Sequence, residues 1–142
     1  MQVAREHTRR TKIVKAKGAY HGTHAWTTPM PAGTTPADTA DVLTFRWNDL
    51  DALERVLRAA DGQVAGIILS PFRHEAFHDQ EMPAPGFLQG VRRLCDEQGI
   101  VFILDDVRAG FRLDLRGSGT FSRDPQFRLE PGLQNGAPLA WQ

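Results

Sequence analysis

The stretch Val101-Phe102-Ile103-Leu104-Asp105-Asp106-Val107-Arg108-Ala109-Gly110-Phe111-Arg112 decides the fold of this chain. Four apolar residues, rich in branched and aromatic side chains, read as a buried strand. The strand delivers two carboxylates at its C-terminal end, where open α/β sheets bind their ligands. A carboxylate at the border of an apolar core is costly unless a cation or a hydrogen-bond donor meets it. Two readings stay open at this point. Asp105 and Asp106 either cap the strand and its turn, or they form part of a site.

Working back from that strand, Pro85 opens a helix. Phe87, Leu88, Val91, Leu94 and Cys95 form its buried face, and Gly99 ends it. Val64 to Leu69 is an apolar strand without alternation, suited to a sheet covered on both faces. It is preceded by a helix capped by Asn48, with Leu50, Leu53, Val56, Leu57 and Ala60 on one side and Asp61-Gly62 at its end. Val42 to Phe45 is a further short strand, and residues 27–41 form a proline-rich and threonine-rich loop. Lys12 to Lys17 alternates weakly and reads as a strand ended by Gly18. Alternation of strand and helix from 42 to 105 predicts a three-layer α/β fold with a largely parallel sheet and flanking helices. After Gly117 the pattern fades, and residues 117–142 read as an irregular tail.

A length of 142 residues suits one domain with a real core. The formal net charge is zero, which argues against a general affinity for nucleic acid or anionic membrane. No apolar run is long enough to span a bilayer, and the N-terminus lacks a signal-peptide core, so the cytoplasm is the expected compartment. A single cysteine, Cys95, excludes an internal disulfide and a cysteine zinc cage, and reads as a small buried side chain. Arg5, Arg9, Arg10, Lys12, Lys15 and Lys17 crowd the start of the chain, and no lysine follows Lys17. Such a segment could meet phosphate, but a solvated helix end leading into a strand is the simpler reading.

Two islands could carry chemistry. His74-Glu75-Ala76-Phe77-His78 matches the His-Glu-x-x-His pattern of zinc hydrolases, which needs both histidines on one helical face. Pro71, Pro83 and Pro85 bound it and no apolar helical face surrounds it, so no metal ligands are assigned. Ala19-Tyr20-His21-Gly22-Thr23-His24-Ala25-Trp26 gathers rings directly after a strand, which suits either the wall of a planar-ligand site or core packing.

Together the islands resemble class III pyridoxal-phosphate aminotransferases, most nearly the glutamate-1-semialdehyde aminomutase-like branch. Lys12 to Gly22 resembles the segment leading into that family's Tyr-His-Gly turn. Asn48-Asp49-Leu50-Asp51-Ala52-Leu53-Glu54 and Pro85-Gly86-Phe87-Leu88 resemble its helix starts. Leu104 to Arg112 resembles its Leu-Asp-Glu-Val-x-Thr-Gly-Phe-Arg signature. The resemblance implies that residues 1–142 form a single partial domain, the central part of a fold-type I large domain. It implies pyridoxal 5'-phosphate as cofactor. Asp105 would bond the pyridine nitrogen, Tyr20 and Val107 would meet the two ring faces, His21 belongs to the same turn, and Arg108 would stand near the phenolic oxygen.

The departures are equally specific. The family's Schiff-base lysine is expected before an Asn-Gly turn, where this chain has Glu130-Pro131-Gly132-Leu133-Gln134-Asn135-Gly136. The phosphate-binding turn would precede residue 1. Ala109, Asp106 and Ser70 stand where the family prefers threonine, glutamate and an acidic residue. The expectation is a class III aminotransferase-like chain, truncated and inactive alone, with a non-catalytic pseudoenzyme module that binds a partner chain as the alternative. Family enzymes are dimers acting on small amino or keto substrates. The implied partners are therefore a second copy or a full-length relative.

Overall fold

Residues 64–69 are buried at every position, so this strand needs cover on both faces and neighbours on both edges. The computed structural model, which describes residues 1–30, 32–75, 78–112 and 115–119, provides both. Its strands are β1 (Lys12–Ala16), β2 (Val42–Phe45), β3 (Val64–Leu69) and β4 (Val101–Leu104). They form one four-stranded sheet in the order β2-β1-β3-β4, with every pairing parallel. The helices are α1 (Gln2–Thr8), α2 (Pro36–Thr39), α3 (Leu50–Ala59) and α4 (Phe87–Gln98).

Helices α3 and α4 cover one face. Leu53, Leu57, Leu88, Val91, Leu94 and Cys95 pack there with Val14, Ile67 and Leu69 of the sheet. Burial pushes the Cys95 thiol up to about 12, so it behaves as a small apolar group. The other face holds a smaller cluster of Ile13, Ala65 and Ile68, with Met1 and Ile103 against it. Helix α1 lies over this face at Gly66, where an added Cβ would stand 3.3 Å from both Ala4 Cβ and Val101 O. A register shift between Lys12 and Ile13 passes Ala65 over, so Ala65 and Gly66 both turn to the α1 face while Val64 joins Ile67 and Leu69 on the other. The expected parallel α/β sheet with helices at both layers is therefore what the chain forms.

The basic start is used structurally. Arg10 Nη1 donates to the carbonyls of Val64 (3.1 Å), Gln98 (2.9 Å) and Gly99 (3.3 Å), joining the start of β3 to the end of α4. Three local readings need correction. Asp49, not Asn48, caps α3, its carboxylate accepting from Ala52 N at 2.7 Å. Asn48 adopts a left-handed φ of 60° and binds Glu81, Met82 and Ala84 instead, stapling that loop to the end of β2. Pro85 does not open α4, because Gly86 at φ 81° is the N-cap and helical geometry begins at Phe87. The loop over 27–41 contains α2, built on a Thr35–Asp38 capping box with Pro36 at its first position. Residues 120–142, most of the expected tail, lie outside the described residues.

Candidate functional site

The C-terminal ends of β1, β3 and β4 converge because the sheet is parallel. Gly18 turns the chain after β1 with φ 78°, and a Cβ there would press within 3.1 Å of the Glu75 side chain. Ala19 then bridges to Glu75, and Tyr20 and His21 follow. After β4 the Asp105 amide still donates to Leu69 O at 2.7 Å, so its carboxylate leaves a fixed backbone position.

His21 and Asp105 meet there. The imidazole is fully buried and the carboxylate is 19% exposed. A carboxylate only accepts, so His21 Nδ1–H donates to Asp105 Oδ2, at 2.7 Å. The second oxygen, Oδ1, accepts from Val107 N–H at 3.3 Å. His21 Nε2 is buried with no hydrogen-bond partner among the described residues. A proton on Nε2 would have nowhere to go. Accordingly burial holds the His21 pKa below its ordinary value, although the Asp105 hydrogen bond and charge pull it upward. The resting pair is a neutral imidazole against a carboxylate.

Asp106 does a different job. Its backbone carbonyl accepts from Ala109 N and Gly110 N, and its Oδ2 accepts from Ser118 N at 2.9 Å. The two readings of the acidic pair thus divide. Asp106 caps the turn, while Asp105 both caps and binds His21.

The remaining expected residues are placed as follows. Arg108 does not pair with Asp105, and its Nη1 lies 2.8 Å from His74 Nε2. Partial burial, then the Arg108 charge, lowers the His74 pKa. Tyr20 is 42% exposed and Val107 90% exposed. Both present open surface at the edge. Two cavities open elsewhere, one of about 480 Å³ walled by Arg46, Trp47, Asn48 and Arg73, and one of about 520 Å³ walled by Lys15, Lys17, Trp26 and Val42. Neither has Tyr20 or Asp105 in its wall among the described residues. His78 goes to Glu75, at 3.8 Å, so the two histidines of the zinc-like pattern have different partners.

Sequence reasoning missed two residues. His74, read from the sequence only as part of a zinc-like pattern, belongs to the electrostatic surroundings of His21 and Asp105. Lys15 is buried, although it sits in a basic segment. Its signal was parity, since it stands two residues after the buried Ile13 and so on the same face of β1.

A parallel sheet with an aspartate at the end of one strand, bonded to a histidine after another, defines a three-layer α/β protein with a polar edge at the strand C-termini. Residues 1–122 match the family profile Aminotransferase class-III. The chain is 44% identical to the aminopentol aminotransferase of Sphingopyxis macrogoltabida over 99% of its own length and 34% of the relative's. It is 39% identical to the glutamate-1-semialdehyde 2,1-aminomutase of Roseiflexus castenholzii, over 99% of this chain and 35% of that one. Among solved structures, the FumI protein of Sphingopyxis sp. MTA144, in its PLP internal aldimine form, superposes with a TM-score of 0.75 at 44% identity, covering 78% of this chain and 27% of that one. The glutamate-1-semialdehyde aminomutase of Pseudomonas aeruginosa PAO1 gives a TM-score of 0.69 at 28% identity, over 84% and 28%. The chain belongs to the class III aminotransferase family. It spans about a third of the length of the curated relatives it matches.

Proposed function

We propose that this chain carries the pyridine-nitrogen side of a pyridoxal-phosphate site of the class III aminotransferase and aminomutase type. One observation carries the reading. Asp105 sits at the end of β4, held by the buried His21, with part of its carboxylate still open to a ligand. That group fits the site at this end, because an open carboxylate oxygen accepts a ring N–H. When bound, pyridoxal phosphate supplies an electron sink whose strength depends on a protonated ring nitrogen. Asp105 holds that proton by its charge. His21 keeps the carboxylate oriented and excludes water from its inner oxygen. Tyr20 and Val107 offer exposed surface for the ring faces, and Arg108 offers a cation beside His74.

Amino transfer also needs an amine that holds and releases the cofactor. The lysines of this chain are Lys12, Lys15 and Lys17, all on β1 or directly after it. The expected lysine position falls at Pro131 or Gly132, outside the described residues. On this reading the chain by itself does not transfer amino groups. Titration of the full chain with pyridoxal phosphate tests it. Saturable binding with the free cofactor's spectrum is expected, weakened about tenfold in Asp105→Ala, the equivalent of roughly 1.4 kcal/mol. A borohydride-trapped adduct on one lysine, with turnover of an amino donor, would overturn it.

A second reading is a non-catalytic module that binds a partner chain, either a second copy or a full-length relative. Val107, Phe111 and Leu115 favour it, being 90%, 79% and 85% exposed. Light scattering of the chain alone, and mixed with a full-length class III enzyme, separates the two.

A further inference from the structure

Lys15 is a buried cation that the site described above leaves unused. It lies on β1 with only 5% of its surface exposed. Its Nζ donates to the carbonyls of Ala19 at 3.1 Å, Thr27 at 3.0 Å and Thr28 at 3.3 Å. Each of the three ammonium N–H bonds therefore meets an oxygen. All three acceptors belong to the loop that carries Tyr20 and His21. The Thr27 carbonyl is shared, because it also accepts from the His21 backbone N–H at 3.2 Å. From that same residue the imidazole reaches Asp105. An ammonium group taken out of water is strongly unfavourable unless its hydrogens are satisfied. The loop closes over Lys15, and its carbonyls are what satisfy the buried ammonium group.

We propose that Lys15 is a positioning residue whose ammonium group ties the loop of residues 19–28 onto the end of β1 and so holds the His21 imidazole on Asp105. It acts through the Thr27 carbonyl. Only its consequence for a cofactor nitrogen rests on the function proposed above. Methionine would fill the same space with an unbranched apolar chain but would leave the Ala19 and Thr28 carbonyls without that donor and the Thr27 carbonyl with the His21 N–H alone. Arginine would bring donors in a planar fork, which does not match three oxygens converging on one nitrogen.

The test uses the full chain with nitrogen-labelled histidine and lysine. The wild type should show a downfield Nδ1–H proton, assigned to His21 by its loss in His21→Gln. Lys15→Met should lose that proton, and amide exchange over residues 19–28 should rise about tenfold or more while α3, α4 and the central sheet stay protected. Lys17→Met, at an exposed position on the same segment, should change neither. Retention of both the proton and the loop protection in Lys15→Met would overturn the proposal. Should Lys15→Met fail to fold, the wild type decides. An Nζ resonance exchanging far more slowly than that of Lys17 supports the role, and one exchanging at the same rate overturns it. Loss of the His21 proton in Lys15→Met, together with no pyridoxal-phosphate affinity in the wild type, would leave the role standing and sink the cofactor reading alone.

Discussion

His21 Nδ1 lies 2.7 Å from Asp105 Oδ2 although 84 residues separate them in the chain. Strand β3 stands between the strands that lead to them. The contact therefore bridges the end of the central strand. Its cost and its use both follow from burial, since the imidazole is removed from water while the carboxylate keeps one side open.

The first prediction concerns pH. His21 has a folded pKa lowered from 6.5, by burial. Between the folded and unfolded values the unfolded chain binds more protons, so stability rises with pH there. The contribution is complete above about pH 6.5 and is lost as pH falls toward the folded value. Thermal melts between pH 5 and 8 should show this slope, and His21→Gln should flatten it. An unchanged slope in the variant would assign the dependence to other groups.

Asp105→Ala should destabilise the chain by about 1–3 kcal/mol, because it strands a buried His21 N–H and removes the cap on Val107. Asp105→Asn keeps an acceptor oxygen and should cost less. Urea unfolding of both variants checks the order, and equal midpoints would contradict the geometry.

Arg10→Ala should cost about 1–2 kcal/mol, since three carbonyls at the end of α4 and the start of β3 lose one shared donor. Arg10→Lys should recover only part of it, because the guanidinium fork reaches several carbonyls at once. Denaturation midpoints measure the difference.

Gly66→Val should loosen α1 without melting α3 or α4. Its side chain would enter space already 3.3 Å from Ala4 Cβ and Val101 O, an overpacking of about 1–3 kcal/mol. Faster amide exchange confined to residues 2–8 and the adjoining sheet face is the expected signature.

Equimolar zinc should leave the melting temperature unchanged. His74 faces the Arg108 guanidinium, whose charge opposes a second cation, and His78 is mostly exposed beside Glu75. A stabilisation by zinc that disappears in His78→Ala would show that the two histidines can converge.

The elements of this fold are legible along the chain. Val64–Leu69 and Val101–Leu104 are local apolar runs, and the faces of α3 and α4 repeat at helical spacing, so burial follows from periodicity. Asp105 is visible for the same reason, as the first charge after a strand. Boundaries were less legible. Asn48 and Asp49 are both good caps by composition, and only the positive φ at Asn48, with its bonds to the 81–84 loop, assigns the cap to Asp49.

What the sequence determined by itself is the succession of the four strands with α3 and α4 between them, the family and the absence of lysine beyond position 17. Which side chains meet was decided by the tertiary structure. Arg108 turns to His74 rather than Asp105, Asp106 folds back on its own turn, and Lys15 is buried despite its basic neighbours. The physical reason is range. Periodicity records how one segment meets a core, whereas a hydrogen bond across β3 depends on the order of strands in the sheet, which no single segment encodes.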